Sequence, residues 1–162
     1  MKDKDYRKAI GRELLAWARK DSRIVLLVCD MGFGVVDDFK KEFPERIFNF
    51  GMMEQATVGI ASGMAASGLI PVVYSIVNFL AFRALEQIRN DVVNQNLNVK
   101  FIATGVDNYF RFLGISHCCG KDDKALMKIV GLKVYDPYKG KPNFSKMVKQ
   151  WMKSREPGYL RV

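Results

Sequence analysis

The stretch Ile47–Ser75, IFNFGMMEQATVGIASGMAASGLIPVVYS, decides the fold. IFNFG (47–51) is apolar, rich in aromatic and β-branched residues, and closed by a glycine; it predicts a strand. Residues 53–67 are dominated by Ala, Gly, Ser and Met and predict a helix built from small side chains. LIPVVYS (69–75) predicts the next strand. Strand, helix and strand in that order, with no hairpin turn between them, describe a crossover between parallel strands.

The same alternation continues in both directions. Upstream, IVLLVCD (24–30) is a continuous apolar run, as expected of a strand covered on both faces. Before it, Tyr6, Ile10, Leu14 and Trp17 recur at helical spacing within residues 5–19. A short polar helix is expected over Asp37–Phe43, stopped by Pro44. Downstream, residues 78–94 predict a helix with Asn78 as its N-cap. VKFIAT (99–104), LKVYDP (132–137) and the terminal GYLRV predict strands, and Asp122–Ile129 and Asn143–Lys153 predict helices. The expected fold class is α/β, a mostly parallel sheet with helices on both faces, in one domain over residues 1–162.

Composition narrows the function classes. The two longest apolar stretches fall short of the ~20 clean residues a membrane span needs, and the N-terminal MKDKDYRKAI has no apolar signal core. A cytoplasmic protein is expected. Net charge is +9, but Lys40, Lys41, Lys124, Lys128, Lys146, Lys149 and Lys153 are spread at outward helical spacing rather than in one block. That pattern fits a solvated surface or an acidic partner better than a nucleic-acid interface. Cys29, Cys118 and Cys119 form no CxxC pair, and one histidine cannot complete a zinc site, so neither a disulfide framework nor structural zinc is expected.

Several positions carry possible chemistry. Gly32 and Gly34 follow a strand ending Cys-Asp, but Asp37 stands where a dinucleotide turn needs its third glycine, so a tight turn is the better reading. Gly59, Gly63 and Gly68 suggest close approach of a helix, within the chain or against a second copy. Glu54 follows a strand and a glycine at the head of a helix. It either faces a binding crevice at the strand ends or simply complements the helix dipole. His117, in the GISHCCG segment of the long loop 105–121, is either a surface residue or a catalytic one. Activation of Cys118 or Cys119 by His117 is disfavoured, because adjacent side chains rarely face each other.

Residues 44–92, PERIFNFGMMEQATVGIASGMAASGLIPVVYSIVNFLAFRALEQIRNDV, resemble the pyrimidine-binding domain of transketolase-like, thiamine-diphosphate-dependent enzymes. The shared features are Arg46, Phe48, Asn49, Gly51, Glu54 and Gln55, then Gly68 and Pro71, then Phe79. GISHCCGKDDKALMKIVGLKVYDP is similar to the family's Gly-x-(Ser/Thr)-His segment and the strand after it. The resemblance spans about residues 8–162. It implies that Glu54 is the carboxyl that shares a proton with N1′ of the cofactor's aminopyrimidine. It further implies that Ile76, Phe79 and Phe82 line the pyrimidine pocket, and that His117 faces substrate. The expected activity is C–C bond cleavage with two-carbon transfer from a sugar-phosphate or 2-keto donor. The alternatives are a split 2-keto-acid decarboxylase subunit and a noncatalytic scaffold subunit that kept the fold.

Two departures stand out. Transketolases proper carry a histidine where this chain has Gly105, and an acidic pair where it has Phe112 and Leu113. The Gly-Asp-Gly motif that holds the diphosphate and Mg²⁺ in such enzymes does not occur in this sequence. The resemblance therefore implies a split enzyme. A partner chain carrying that motif would hold the diphosphate and its metal, and contact with a second copy of this chain is expected as well.

Overall fold

The computed structural model describes residues 6–140 and 142–162; Asp5, at the head of the expected first helix, lies outside them. Six strands form one sheet: β1 (Ile24–Val28), β2 (Ile47–Asn49), β3 (Ile70–Ile76), β4 (Lys100–Thr104), β5 (Lys133–Tyr135) and β6 (Gly158–Arg161). The order is β2-β1-β3-β4-β6-β5, and every pairing is parallel. The expected "mostly parallel" sheet is thus wholly parallel among the described strands. The helices are α1 (Tyr6–Ala18), α2 (Asp37–Glu42), α3 (Glu54–Ala66), α4 (residues 79–93), α5 (Asp122–Ile129) and α6 (Phe144–Lys153).

Right-handed crossovers place a helix on one face when the chain moves one way along the sheet, and on the other face when it moves back. Here α1, α2 and α6 cover one face. Ile10, Leu14, Phe39, Val148 and Trp151 pack there on Leu26, Val72, Ile102 and Leu160. On the other face α3, α4 and α5 bring Val58, Ala61, Ile88 and Met127 onto Leu27, Val73, Phe101 and Tyr159. Neighbouring strand residues such as Leu26 and Leu27 serve opposite cores, which is why the central strands are apolar at successive positions. Trp17, expected on the buried stripe of α1, is only partly buried; Ala18 is buried instead.

Close packing explains one glycine and leaves others open. A Cβ on Gly158 would come within 2.8 Å of the Trp151 ring, whose Nε1 donates to the Gly158 carbonyl at 3.0 Å. By contrast, a Cβ at Gly59, Gly63 or Gly68 would meet nothing within 4 Å. The close approach expected at these glycines is absent within the described chain, and Ile60 beside them is exposed.

α4 departs from the expected regular helix. Phe79–Arg83 and Ile88–Val93 are π-helical, joined through Leu85–Gln87. Asn78 is not a cap: its backbone is already helical, and its amide donates to the Ser116 carbonyl in the long loop. That loop contains two single 3₁₀ turns, Arg111–Leu113 and Ile115–His117. Among the described residues no helix is long and apolar enough to cross a membrane.

Candidate active site

The strand order reverses between β1 and β3, because β2 lies to one side of β1 and all later strands lie to the other. Parallel sheets open a crevice at the carboxyl ends of strands at such a point. The turn from β2 into α3 is built to place a side chain there. Asn49 Oδ1 accepts from the Asp30 amide at 2.9 Å and from the Gly51 amide at 3.0 Å, tying the turn to the end of β1. Gly51 adopts a φ of +69°, a left-handed conformation that suits glycine. The chain then starts α3 at Glu54.

Glu54 is fully buried. Its Oε1 accepts from the Ser75 hydroxyl on β3 at 2.9 Å, and its Oε2 accepts from Arg83 Nη1 at 2.5 Å. The Arg83 guanidinium lies 4.3 Å over the Phe79 ring, from the same π-helical turn of α4. The Phe79 ring in turn meets the His117 imidazole edge to face, with centroids 4.9 Å apart. His117 Nδ1 is 3.1 Å from the Ser116 hydroxyl. Residues from α3, β3, α4 and the long loop thus form one continuous series from a buried carboxylate to a solvent-accessible imidazole.

Of the residues expected at the site, Glu54, Phe79 and His117 stand in this series. Ile76 is buried at the last position of β3, one residue beyond Ser75. Phe82 is on the same helical turn as Phe79 but is 52% exposed. Ser75 and Arg83 stand outside the residues expected from the sequence. A lone hydroxyl inside the apolar IPVVYSI strand is the signal for the first, and the four-residue spacing from Phe79 for the second.

Cys29, at the end of β1, donates to the Thr57 hydroxyl at 3.5 Å. Burial pushes its thiol up to about 11, with the Glu54 charge adding to the effect, so it is protonated at neutral pH. Gly105 follows β4 with a φ of +76°, and a Cβ there would lie 2.2 Å from the Phe110 ring. Phe110 therefore closes the space any side chain at position 105 would need. All three cysteines are free, and no three His, Cys, Asp or Glu side chains among the described residues are grouped to hold a metal ion.

A wholly parallel sheet with a buried carboxylate at its switch point defines a cofactor-binding domain of the α/β class. The chain belongs to the family described as "Transketolase, pyrimidine binding domain", whose profile it matches over residues 2–162. It is 37% identical over 135 residues to a "Putative transketolase C-terminal section" of Methanocaldococcus jannaschii, covering 83% of this chain and 43% of the relative. It is 32% identical over 157 residues to an apulose-4-phosphate transketolase subunit of Phocaeicola vulgatus, covering 96% of this chain and 50% of that protein. A solved structure described as "Split gene transketolase, inactive beta4 tetramer" superposes with a TM-score of 0.79 at 34% identity, covering 96% of this chain and 49% of the other. The chain spans about half the length of these proteins or less. Membership of the family implies dependence on thiamine diphosphate.

Proposed function

We propose that this chain is the pyrimidine-binding subunit, a single domain, of a transketolase-like enzyme that cleaves a C–C bond and transfers a two-carbon unit. The observation that carries the proposal is the wholly buried Glu54 carboxylate at the β1/β3 switch point. A buried charge is costly, and complementing the helix dipole at the head of α3 does not call for full burial. A carboxylate has room for about four hydrogen bonds, and Ser75 and Arg83 account for two. The remaining acceptor sites thus fit an aminopyrimidine, whose ring nitrogen can share a proton with Glu54, with Phe79 and the more exposed Phe82 as the aromatic rings beside it.

Thiamine diphosphate bound here supplies the nucleophilic carbon and the electron sink of the reaction. The chain's own residues orient and protonate. Ser75 fixes the rotamer of Glu54, Glu54 holds the proton at the pyrimidine nitrogen, and Ile76 with Phe79 excludes water from that contact. Phe82 adds apolar surface at the rim. His117 approaches from the loop to contact the reacting carbonyl or its hydroxyl neighbour.

The diphosphate and Mg²⁺ belong to a partner chain with a Gly-Asp-Gly motif. The names of the relatives, one a section and the other a subunit of a transketolase, support a divided enzyme. So do the exposed Met52, Met53, Phe82, Phe112 and Ile115, which all follow carboxyl ends of strands, where a partner would cover them. The open glycine face of α3 supports a contact with a second copy. The apolar loop favours a second reading, a 2-keto-acid decarboxylase subunit. Phe110, Phe112 and Leu113 offer little to a polyhydroxylated donor, and loss of carboxylate charge is eased in a dry site.

Stacking and one hydrogen bond supply about 2–4 kcal/mol before association costs. The lone chain is therefore expected to bind thiamine diphosphate more weakly than roughly millimolar. Calorimetric titration with cofactor and Mg²⁺, with and without the partner, tests this. Micromolar binding by the chain alone would remove the divided-site proposal.

A further inference from the structure

Arg161, the last residue of β6, is only 1% exposed, yet it meets three carboxylates. Its Nε donates to Asp123 Oδ2 at 2.7 Å and its Nη2 to Asp123 Oδ1 at 3.3 Å, a forked pair with a fully buried partner. Nη1 donates to Asp136 Oδ2 at 3.1 Å, and Nη2 also reaches Asp107 Oδ1 at 3.3 Å. Tyr159 donates to Asp123 at 3.3 Å, and Lys124 to Asp136 at 3.1 Å. Burying so many charges rarely improves on apolar packing in stability. What the cluster provides is geometry, because its three acids come from three different segments.

Asp123 lies in the first turn of α5, directly after the long loop, and Asp136 follows β5. Asp107 lies near the start of the loop, in a left-handed conformation with φ of +55°. Its carbonyl accepts from the Gly120 amide at 3.1 Å, so the two ends of the loop meet at this residue. The Gly105 amide, just before it, donates to the Val162 carbonyl at 2.9 Å. The root of the loop is therefore fastened to the end of β6, while its tip is held at a separate point, by Asn78 to the Ser116 carbonyl.

We propose that Arg161, acting through Asp107, is a positioning residue for His117: it joins the two ends of the 105–121 loop and so sets where the imidazole meets Phe79. The role of that position in substrate contact rests on the function proposed above. The fastening itself does not, and it can be tested on the chain without cofactor or partner. His117 is the only histidine in the sequence, so its ring signals in a proton–nitrogen or proton–carbon NMR spectrum are assigned without ambiguity.

Replacing Arg161 with an apolar residue would leave Asp123 buried and unpaired and is expected to unfold the chain. The test therefore falls on Asp107, whose side chain is 57% exposed. Asp107→Ala is expected to move the His117 ring signals and to speed amide exchange at His117 and Cys118 by about tenfold, through more frequent local opening. Exchange within β1 and β3 should stay as in the parent. Asp107→Gly removes the carboxylate without straining the left-handed backbone and should act as Ala does, whereas Asp107→Asn keeps an acceptor and tolerates that backbone, so it should restore the parent spectrum. Unmoved His117 signals in Asp107→Ala would overturn the proposal, as would equal effects of Ala and Asn. If the signals move but kcat/KM of the partnered enzyme does not, the fastening stands and the substrate role of His117 falls.

Discussion

Arg83 Nη1 lies 2.5 Å from Glu54 Oε2, and the guanidinium also stacks on Phe79, so one side chain neutralises the buried carboxylate and covers the ring beside it. Glu54 is fully buried while Arg83 is 39% exposed. The pair therefore has a solvent-facing member and a dry one. A ring nitrogen approaching Glu54 must share the carboxylate with Arg83 or displace it, and the exposed partner is the one that can move.

Glu54→Gln is expected to reduce turnover of the partnered enzyme by at least the ~10²–10⁴ typical of acid–base groups. The amide keeps the shape of the side chain, but with its oxygen on Ser75 its NH2 faces Arg83, so a modest drop in melting temperature is expected while the fold is kept. Steady-state kinetics beside a melting curve separates the two effects. Activity within a few-fold of the parent would take Glu54 out of the mechanism.

Arg83→Met leaves the Glu54 carboxylate buried with Ser75 as its hydrogen-bond donor. Breaking a buried pair costs about 3–5 kcal/mol, and water already reaching Arg83 reduces this to roughly 1–3 kcal/mol. Glu54→Gln with Arg83→Met should recover most of the loss, since no charge is then stranded. Urea unfolding of both single variants and the double variant gives the coupling directly. Purely additive effects would mean the pair contributes nothing to folding.

His117→Ala should lower kcat/KM and leave cofactor affinity unchanged. The imidazole meets Phe79 in a T-shaped contact and makes no hydrogen bond to Glu54, so the pyrimidine contact is expected to survive its removal. Kinetics with calorimetry on the partnered enzyme checks both halves. An unchanged kcat/KM would return His117 to the surface class.

Lys100 offers a pH prediction. Its Nζ is buried at the start of β4 and donates to the Ser154 and Glu156 carbonyls at 2.8 and 2.7 Å. Burial pushes its pKa from 10.5 down to about 8. Between those values the unfolded chain binds the extra proton, so this group makes stability rise with pH across that window and contributes nothing further below it. The full effect is up to ~3 kcal/mol. Cys29 and Cys119, pushed up to about 11 and about 12 by burial, work in the opposite direction above their unfolded values. The test is therefore the difference between the parent and Lys100→Met in chemical unfolding from pH 7 to 11. A difference that does not rise with pH would show that Lys100 is no more costly to charge in the folded chain.

The layered fold was legible because periodicity is local. Ile24–Val28 is apolar on both sides, as is Ile70–Ile76 but for Ser75, whatever they pack against, and the glycine before Glu54 marks the turn into α3. α4 was less legible. Nothing in residues 78–94 distinguishes π-helical turns from a regular helix, and Asn78 has the composition of a cap. Its amide goes to Ser116 because the long loop folds back onto it, 38 residues later.

The succession of strands and helices and the handedness of the crossovers follow from residue pattern and chirality, which the chain carries in any conformation; the strand order and the burial of Glu54 at the head of α3 were decided by the tertiary structure. So were the partners of its carboxylate. Glu54 finds Ser75 and Arg83 at separations of 21 and 29 residues, and Arg161 finds Asp107 and Asp123 at 54 and 38. Such contacts form only after β1, β3, β4 and β6 have been laid side by side. Hydrogen bonds and ion pairs act over a few ångströms, so they are decided by which segments the sheet brings together, and no spacing along the chain announces them.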